Sequence, residues 1–306
     1  MPGHDDTTWD IDGREVDLSN LDRVLWPRSG LTKADLIHYY RDVAPVIVPY
    51  LTARPLTLRV FPDGVDRPGF YLRDLPAGAP DWLRCAPYQP ETRPGERCVP
   101  LIDGAAGLVW YADRGGIEVH LWPCTVAALD RPDWVVFDLD PGPDVGFERV
   151  LDAATLVRDE LDRLGVTGLP KTSGGRGLHV FVPVEPNVPF ASARDWVKAI
   201  AARLSELQPD LIGTAGGRTH RQGLVTIDHA QNSLGRNTAA PYTPRATPDA
   251  TVSAPLSWDE VETGTLRPGD FTLLTLPRRL RDVGDPWRAA LDAPRHRLPT
   301  DRVTPA

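Results

Sequence analysis

Trp134-Val135-Val136-Phe137-Asp138-Leu139-Asp140-Pro141-Gly142 reads as a short buried strand that ends in two acids and is cut off by Pro-Gly. Side chains alternate along a strand, so Val135, Phe137 and Leu139 share one face. Asp138 and Asp140 project together from the other, about 6–7 Å apart at Cα. Carboxylates inside an apolar run are unfavourable unless something positive binds them. Asp-Pro-Gly is also ordinary turn chemistry, so the stretch alone supports either a turn or a metal site.

Working outward, two further strand ends carry polar chemistry. Leu224-Val225-Thr226-Ile227-Asp228 is a strand ending in a third acid, near Arg218, His220 and Arg221 and followed by Gln231 and Asn232. Leu169–Thr172 and Leu178–Val184 read as strands joined by Ser173-Gly174-Gly175-Arg176-Gly177. Three glycines in five residues let backbone N–H groups turn toward an anion, with Ser173 and Arg176 as added donors. A plain hairpin turn is the alternative. The loop is not a Walker A sequence, because GxxxxGK[ST] is absent. His179 alternates to the polar face. Between these strands, Phe147, Val150, Leu151, Ala154, Val157, Leu161 and Leu164 form a helical stripe closed by Gly165.

Upstream, Thr32-Lys33-Ala34-Asp35 opens a helix with a capping box, and Pro45 and Pro49 are expected to end it. Lys33 falls in its first turn, where free N–H groups favour an anion; a solvated lysine is the bland reading. Residues 55–61 alternate as a strand with Arg59 on the polar side. Phe70 and Tyr71 read as core from spacing, or as a platform for base stacking. Gly107–Tyr111 and Ile117–Leu121 read as two strands, the second placing Glu118 and His120 on one face. A short helix is expected near Trp258–Val261. Residues 1–13 are expected to be flexible, 14–290 to form one domain, and 291–306 to be a loose tail.

The 306 residues are 41% hydrophobic and 25% charged, ordinary for a globular protein. No apolar run approaches membrane-spanning length, and the start lacks a signal peptide's pattern; a cytoplasmic protein without a membrane partner is the default. Cys85, Cys98 and Cys124 are too few and scattered for a disulfide framework and form no zinc pair. The net charge of −8 argues mildly against nucleic-acid binding, though local patches override an average. Lysine occurs only at 33, 171 and 198, so arginine carries most of the positive charge.

Strand-end acids, an anion loop and scattered arginines suit phosphoryl transfer, which uses divalent cations held by oxygen ligands. Leu18–Lys33, Phe137–Gly142, Thr172–His179, Asp228-His229-Ala230-Gln231-Asn232 and Phe271–Leu280 jointly resemble the polymerase domain of bacterial ligase D, over roughly 14–290. The resemblance implies an archaeo-eukaryotic primase-like α/β (α+β) fold: a central mixed or antiparallel sheet with an RRM-like catalytic core, flanked by helices. It implies a DNA-end-processing, gap-filling nucleotidyltransferase of non-homologous end joining, nucleoid-associated, with ribonucleotides accepted readily. Asp138, Asp140 and Asp228 would be catalytic and hold two divalent cations, Mn2+ or Mg2+, with Asp228 orienting the primer 3′-hydroxyl. His120, Ser173, Arg176, Arg221, Gln231, Arg245 and Arg59 would meet the NTP or dNTP, and Phe70 and Tyr71 would stack a base. Asn20, Arg23 and Lys33 would recognise a 5′-phosphate on gapped or template-primer DNA. Ku and a separate DNA ligase are the implied partners.

Arg23 and Arg176 stand where the family often has lysine, and Tyr71 where phenylalanine is common; Arg is not a neutral replacement at a bidentate phosphate site. No ligase or nuclease segment is present, so the expectation is a stand-alone polymerase or one domain of a longer chain. Two alternatives remain. A haloacid-dehalogenase-type phosphatase also has Asp-x-Asp after a strand, but its motif continues with threonine near the chain's start, whereas Pro141 follows here. A non-catalytic DNA-end-binding module of the same fold would not need three acids.

Overall fold

The alternating segments build sheets and the 3.6-periodic ones build helices, in a computed structural model that describes residues 7–89, 95–213 and 223–299. The chain forms two compact units and passes between them repeatedly. The first comprises Met1–Trp122, Ala239–Val252 and Phe271–Gly284; the second comprises Pro123–Thr238, Ser253–Asp270 and Asp285–Ala306.

In the first unit, β1 (Thr7–Ile11) and β2 (Arg14–Leu18) make a hairpin, so a paired strand occupies much of the stretch expected to be flexible. Its turn uses Asp12 at φ 54° and Gly13 at φ 74°, the left-handed pair of a type I′ turn. After β3 (Val24–Trp26) and β4 (Leu31–Thr32) comes α1 (Lys33–Leu51), whose capping box forms as expected between Thr32 and Asp35. The expected stop at Pro45 and Pro49 is wrong, since α1 runs through both. The two prolines are exposed and four apart, so the carbonyls they leave unbonded lie on the outer side. Buried Ile47, Tyr50 and Leu51 hold the last turns to the core.

Next come β5 (Leu56–Val60), β6 (Phe70–Leu72), β7 (Cys85–Tyr88) and β8 (Arg97–Pro100). Cys85 and Cys98 are joined by a disulfide, against expectation. The β7–β8 register sets Cys98 opposite Pro87, two residues from Cys85 and on the same face. The expected strand at Gly107–Tyr111 is instead part of α2 (Ala105–Asp113). Ala105 through Ala112 are all buried, so no polar alternation separates helix from strand in such a run. β9 (Gly116–Leu121) then pairs antiparallel with β5, whose other edge takes β6.

The second unit contains β10 (Trp134–Pro141), α3 (Phe147–Arg163), β11 (Leu169–Thr172), β12 (Leu178–Pro183), α4 (Phe190–Leu207), β13 (Ile212–Gly213), β14 (Val225–Asp228) and α5 (Trp258–Glu262). The strands order β11-β12-β10-β14-β13. All pairs are antiparallel except β13 with β14, giving the expected mixed sheet. Val135, Phe137 and Leu139 lie on the face covered by α3 and α4; Phe137 meets Trp196 edge-on at 5.7 Å between centroids. Burying such side chains contributes about 1.5–3 kcal/mol each. Trp134, Val136, Asp138 and Asp140 face the other way. There Trp287 stacks on Trp134 and donates to Pro170 O at 3.0 Å. Residues 291–299 are not a loose tail: His296 N–H donates to Pro183 O at 3.0 Å, and Leu298 is buried.

Candidate active site

β10 and β14 pair so that Asp138 stands directly opposite Asp228, with Asp140 two residues along on the same face. Asp138, Asp140 and Asp228 each place a carboxylate oxygen within 4.8 Å of the others. At that spacing two like charges repel by roughly 3 kcal/mol at an effective dielectric near 20. The set is all oxygen, the donor chemistry of hard divalent cations such as Mg2+ or Mn2+, so it fits the metal that the sequence reading implies. Asp228 Oδ1 accepts from Ala230 N–H at 2.8 Å, which starts a 3-10 turn over His229–Asn232. That turn ends β14's pairing, and the Asn232 side chain replaces it. Its amide accepts from Val136 N–H and donates to Val136 O, both at 2.8 Å.

Asp138 is almost fully buried and has a donor on each oxygen. His179 Nε2 lies 3.3 Å from Oδ1, and Gln231 Nε2 donates to Oδ2 at 3.2 Å. Burial favours the neutral acid, but His179 first, then Gln231 and Lys171, outweigh it and hold the carboxyl below its ordinary range. Gln231, expected at the nucleotide, thus has a partner among the acids. Lys171 and His179 are direct partners across β11–β12, an arrangement not foreseen in their roles. The available signal is spacing, because each stands two residues outside Ser173–Gly177.

That segment folds over the end of β10. Ser173 Oγ accepts from the N–H of Gly175 and Gly177 at 3.1 and 3.2 Å. Arg176 donates to Pro141 O and Gly142 O at 2.8 and 2.6 Å. A Cβ on Gly177 would stand 2.4 Å from Leu139 O, so only glycine permits this approach.

In the first unit, β9 brings Glu118 and His120 together. Glu118 is 1% exposed, yet the sequence reading gave it no role. His120 Nε2 lies 2.7 Å from its carboxylate, Arg245 Nε 3.3 Å and Arg59 Nη1 3.4 Å, and Ala246 N–H donates at 2.9 Å. Burial alone would raise the Glu118 pKa, but His120, Arg245 and the Ala246 N–H bring it down to about 2. Burial, with Arg245 and Arg59, lowers the His120 pKa against the opposing pull of Glu118. Tyr71 packs edge-on to His120 at 6.3 Å, with Arg59 and Arg73 over its ring. Phe70 and Tyr71 are 51% and 48% exposed, so the core reading fails.

Asn20, Arg23 and Lys33 line one cavity of about 310 Å3 with Ser19, Asp113 and Arg114. Asn20 adopts φ 49°, a left-handed conformation that asparagine tolerates. Lys33 is not the solvated lysine of the bland reading: it is 4% exposed and donates to Asp113 Oδ1 and O at 2.9 Å. Arg23 donates to Pro62 O at 2.8 Å. Arg114, 3.6 Å over the Trp110 ring, is a cation of this cavity the sequence reading missed. Arg221 lies outside the described residues.

Three carboxylates on facing strands, with a glycine turn folded over one strand's end, form a group that could hold a metal ion. Residues 32–287 match the family described as LigD, primase-polymerase domain. The multifunctional non-homologous end joining protein LigD of Mycobacterium bovis is 36% identical over 92% of this chain. The LigD of Bacillus subtilis, described as a bifunctional non-homologous end joining protein, is 28% identical over 89%. A solved structure, the polymerase domain from Mycobacterium tuberculosis ligase D in complex with DNA, superposes with a TM-score of 0.83 at 34% identity, covering 90% of this chain and 98% of that one. The chain therefore belongs to the LigD primase-polymerase domain family. It spans 38% of the M. bovis relative and 44% of the B. subtilis one. Nothing in these matches supports a haloacid-dehalogenase-type phosphatase. Among the described residues, no helix is long and apolar enough to cross a membrane.

Proposed function

We propose that this chain is a metal-dependent polymerase that fills gaps and processes DNA ends in non-homologous end joining, acting in the cytoplasm at the nucleoid. The observation that carries the reading is the cluster of Asp138, Asp140 and Asp228 within 4.8 Å. Two divalent cations, with Mn2+ favoured over Mg2+, would neutralise the triphosphate and activate the primer hydroxyl. Asp138 and Asp140 from β10, together with Asp228 from β14, would hold them. Asp228, with Oδ1 committed to Ala230 N–H, offers its other oxygen to the primer 3′-hydroxyl proton. Ser173 and Arg176, with His120, Arg59, Arg221, Gln231 and Arg245, bind the incoming nucleotide, ribonucleotides included. Phe70 and Tyr71 stack a base. Asn20, Arg23 and Lys33 receive a downstream 5′-phosphate, and residues 14–290 act as one functional domain. Ku and a separate DNA ligase complete the repair.

Primer extension on a gapped duplex tests this, comparing Mn2+ with Mg2+ and ribo- with deoxynucleotides. The expected result is metal-dependent extension, fastest with Mn2+ and ribonucleotides. No extension with either metal, on a protein that remains folded, overturns the reading.

A further inference from the structure

Lys171 is 0% exposed, and a buried lysine is unfavourable unless it is held by specific partners. Its Nζ lies 2.8 Å from His179 Nδ1 and donates to Ser253 Oγ. Ser253 in turn donates its single proton to Thr172 O at 2.7 Å, so it can only accept from Lys171. The Phe181 ring lies 5.3 Å from Nζ, a further favourable neighbour for a cation. An ammonium has donors and no lone pair. With Lys171 as the ammonium, His179 Nδ1 accepts and its proton sits on Nε2, which lies 3.3 Å from Asp138 Oδ1.

We infer that Lys171 is a positioning residue for the metal-binding acids: it fixes the His179 tautomer, so that His179 donates to Asp138 and sets the plane of that carboxylate. With the other tautomer, an Nε2 lone pair would face Oδ1 and turn the carboxylate away. Gln231 donates to the opposite oxygen, so the two donors clamp Asp138 from both sides and leave its remaining lone pairs for the cation. The inference rests on the proposed metal role of Asp138, and it depends on hydrogen-bond direction rather than on any change of protonation.

Fixing the tautomer and supplying charge make opposite predictions. Removing a buried positive charge beside a cation site should tighten cation binding if charge were Lys171's only contribution. Removing the tautomer lock should loosen it, by about 10–100-fold, as for other outer-shell partners of metal ligands. Mn2+ affinity, measured by titration calorimetry on the full chain without nucleotide or DNA, is expected to fall in Lys171→Met. In a His179→Gln background, glutamine's own Nε2 donates to Asp138 whatever Lys171 does, so adding Lys171→Met should change affinity less than threefold. Unchanged or tighter binding in Lys171→Met, or an equal loss in both backgrounds, overturns the inference. Nitrogen-15 NMR of histidine-labelled wild-type protein tests it without any variant: His179 should be protonated at Nε2 alone, and a proton on Nδ1 refutes it. Wild-type protein that binds no Mn2+ would instead remove the metal reading, a separate outcome.

Discussion

Asp138 and Glu118 are both buried strand carboxylates with a histidine at hydrogen-bond distance, yet their surroundings suit them to opposite tasks. Glu118 is faced by positive or donor groups, with Arg59, Arg245, His120 and the Ala246 N–H all against its carboxylate. Against the Asp138 oxygens stand the Gln231 amide and the His179 imidazole, with two more acids within 4.8 Å. A carboxylate faced by arginines is a structural counter-ion; one grouped with other acids could hold an external cation. Residue type alone does not separate the two cases. The charge of the nearest partners does.

The largest effect expected from breaking this contrast is at the acid cluster. Asp138→Ala or Asp228→Ala removes a metal ligand, and metal stabilisation of a transition state is worth several kcal/mol. Primer extension should fall about a thousandfold, while gel-shift affinity for gapped DNA persists. Extension at more than a tenth of the wild-type rate in either variant would make the cluster dispensable.

Glu118→Gln acts on the other acid and should be read as stability. It strips two arginines of their counter-ion, and with Arg59 and Arg245 partly exposed the loss should be about 2–3 kcal/mol, seen as a lower urea midpoint. The same variant sharpens the pH behaviour. Glu118 sits at about 2 in the folded protein against 4.5 ordinarily. A depressed carboxyl contributes its stability above pH 4.5 and loses it as pH falls toward 2. His120, also depressed, loses its contribution in the same direction below its ordinary 6.5. The wild type should therefore lose stability steeply between pH 4.5 and 2, and Glu118→Gln should flatten that limb. Parallel limbs would mean that Glu118 does not titrate as described.

The smallest effect is expected in the cavity around Asn20. Arg23→Ala, at a half-exposed side chain, should reduce preference for a 5′-phosphorylated gap about tenfold, near 1.4 kcal/mol, without changing the urea midpoint. Lys33→Ala should reduce the preference and also lower the midpoint, because it removes the buried ammonium that pairs with Asp113. Equal wild-type affinity for phosphorylated and unphosphorylated gaps would show that the cavity has another role.

Much of the second unit is legible from sequence because its strands alternate cleanly and its helices carry full apolar stripes. The three acids stand out since each ends an apolar run. Where side chains are buried on every side, periodicity carries no information, and α2 is misread as a strand for that reason. The continuation of α1 through Pro45 and Pro49 is set by tertiary packing of Ile47 and Tyr50, which no local rule reports. Glu118 and Lys171 are the instructive omissions. A charged residue on an apolar strand has no visible partner until the strands are paired. Lys171 meets His179 across β11–β12 and Glu118 faces Arg59 across β5–β9, contacts that exist only once register is set.

The register of β10 against β14 has a consequence for the kinds of mutation this centre can absorb. Sliding β14 by one residue would turn Asp228 to the face covered by α3 and α4. Sliding it by two would keep the face but carry the acid about 7 Å along the strand, well beyond the 4.8 Å that groups the three carboxylates. Substitutions in these strands can be graded and partly compensated. Insertions and deletions cannot, so length variation should accumulate in the connections and leave the spans Trp134–Pro141 and Val225–Asp228 unchanged in length.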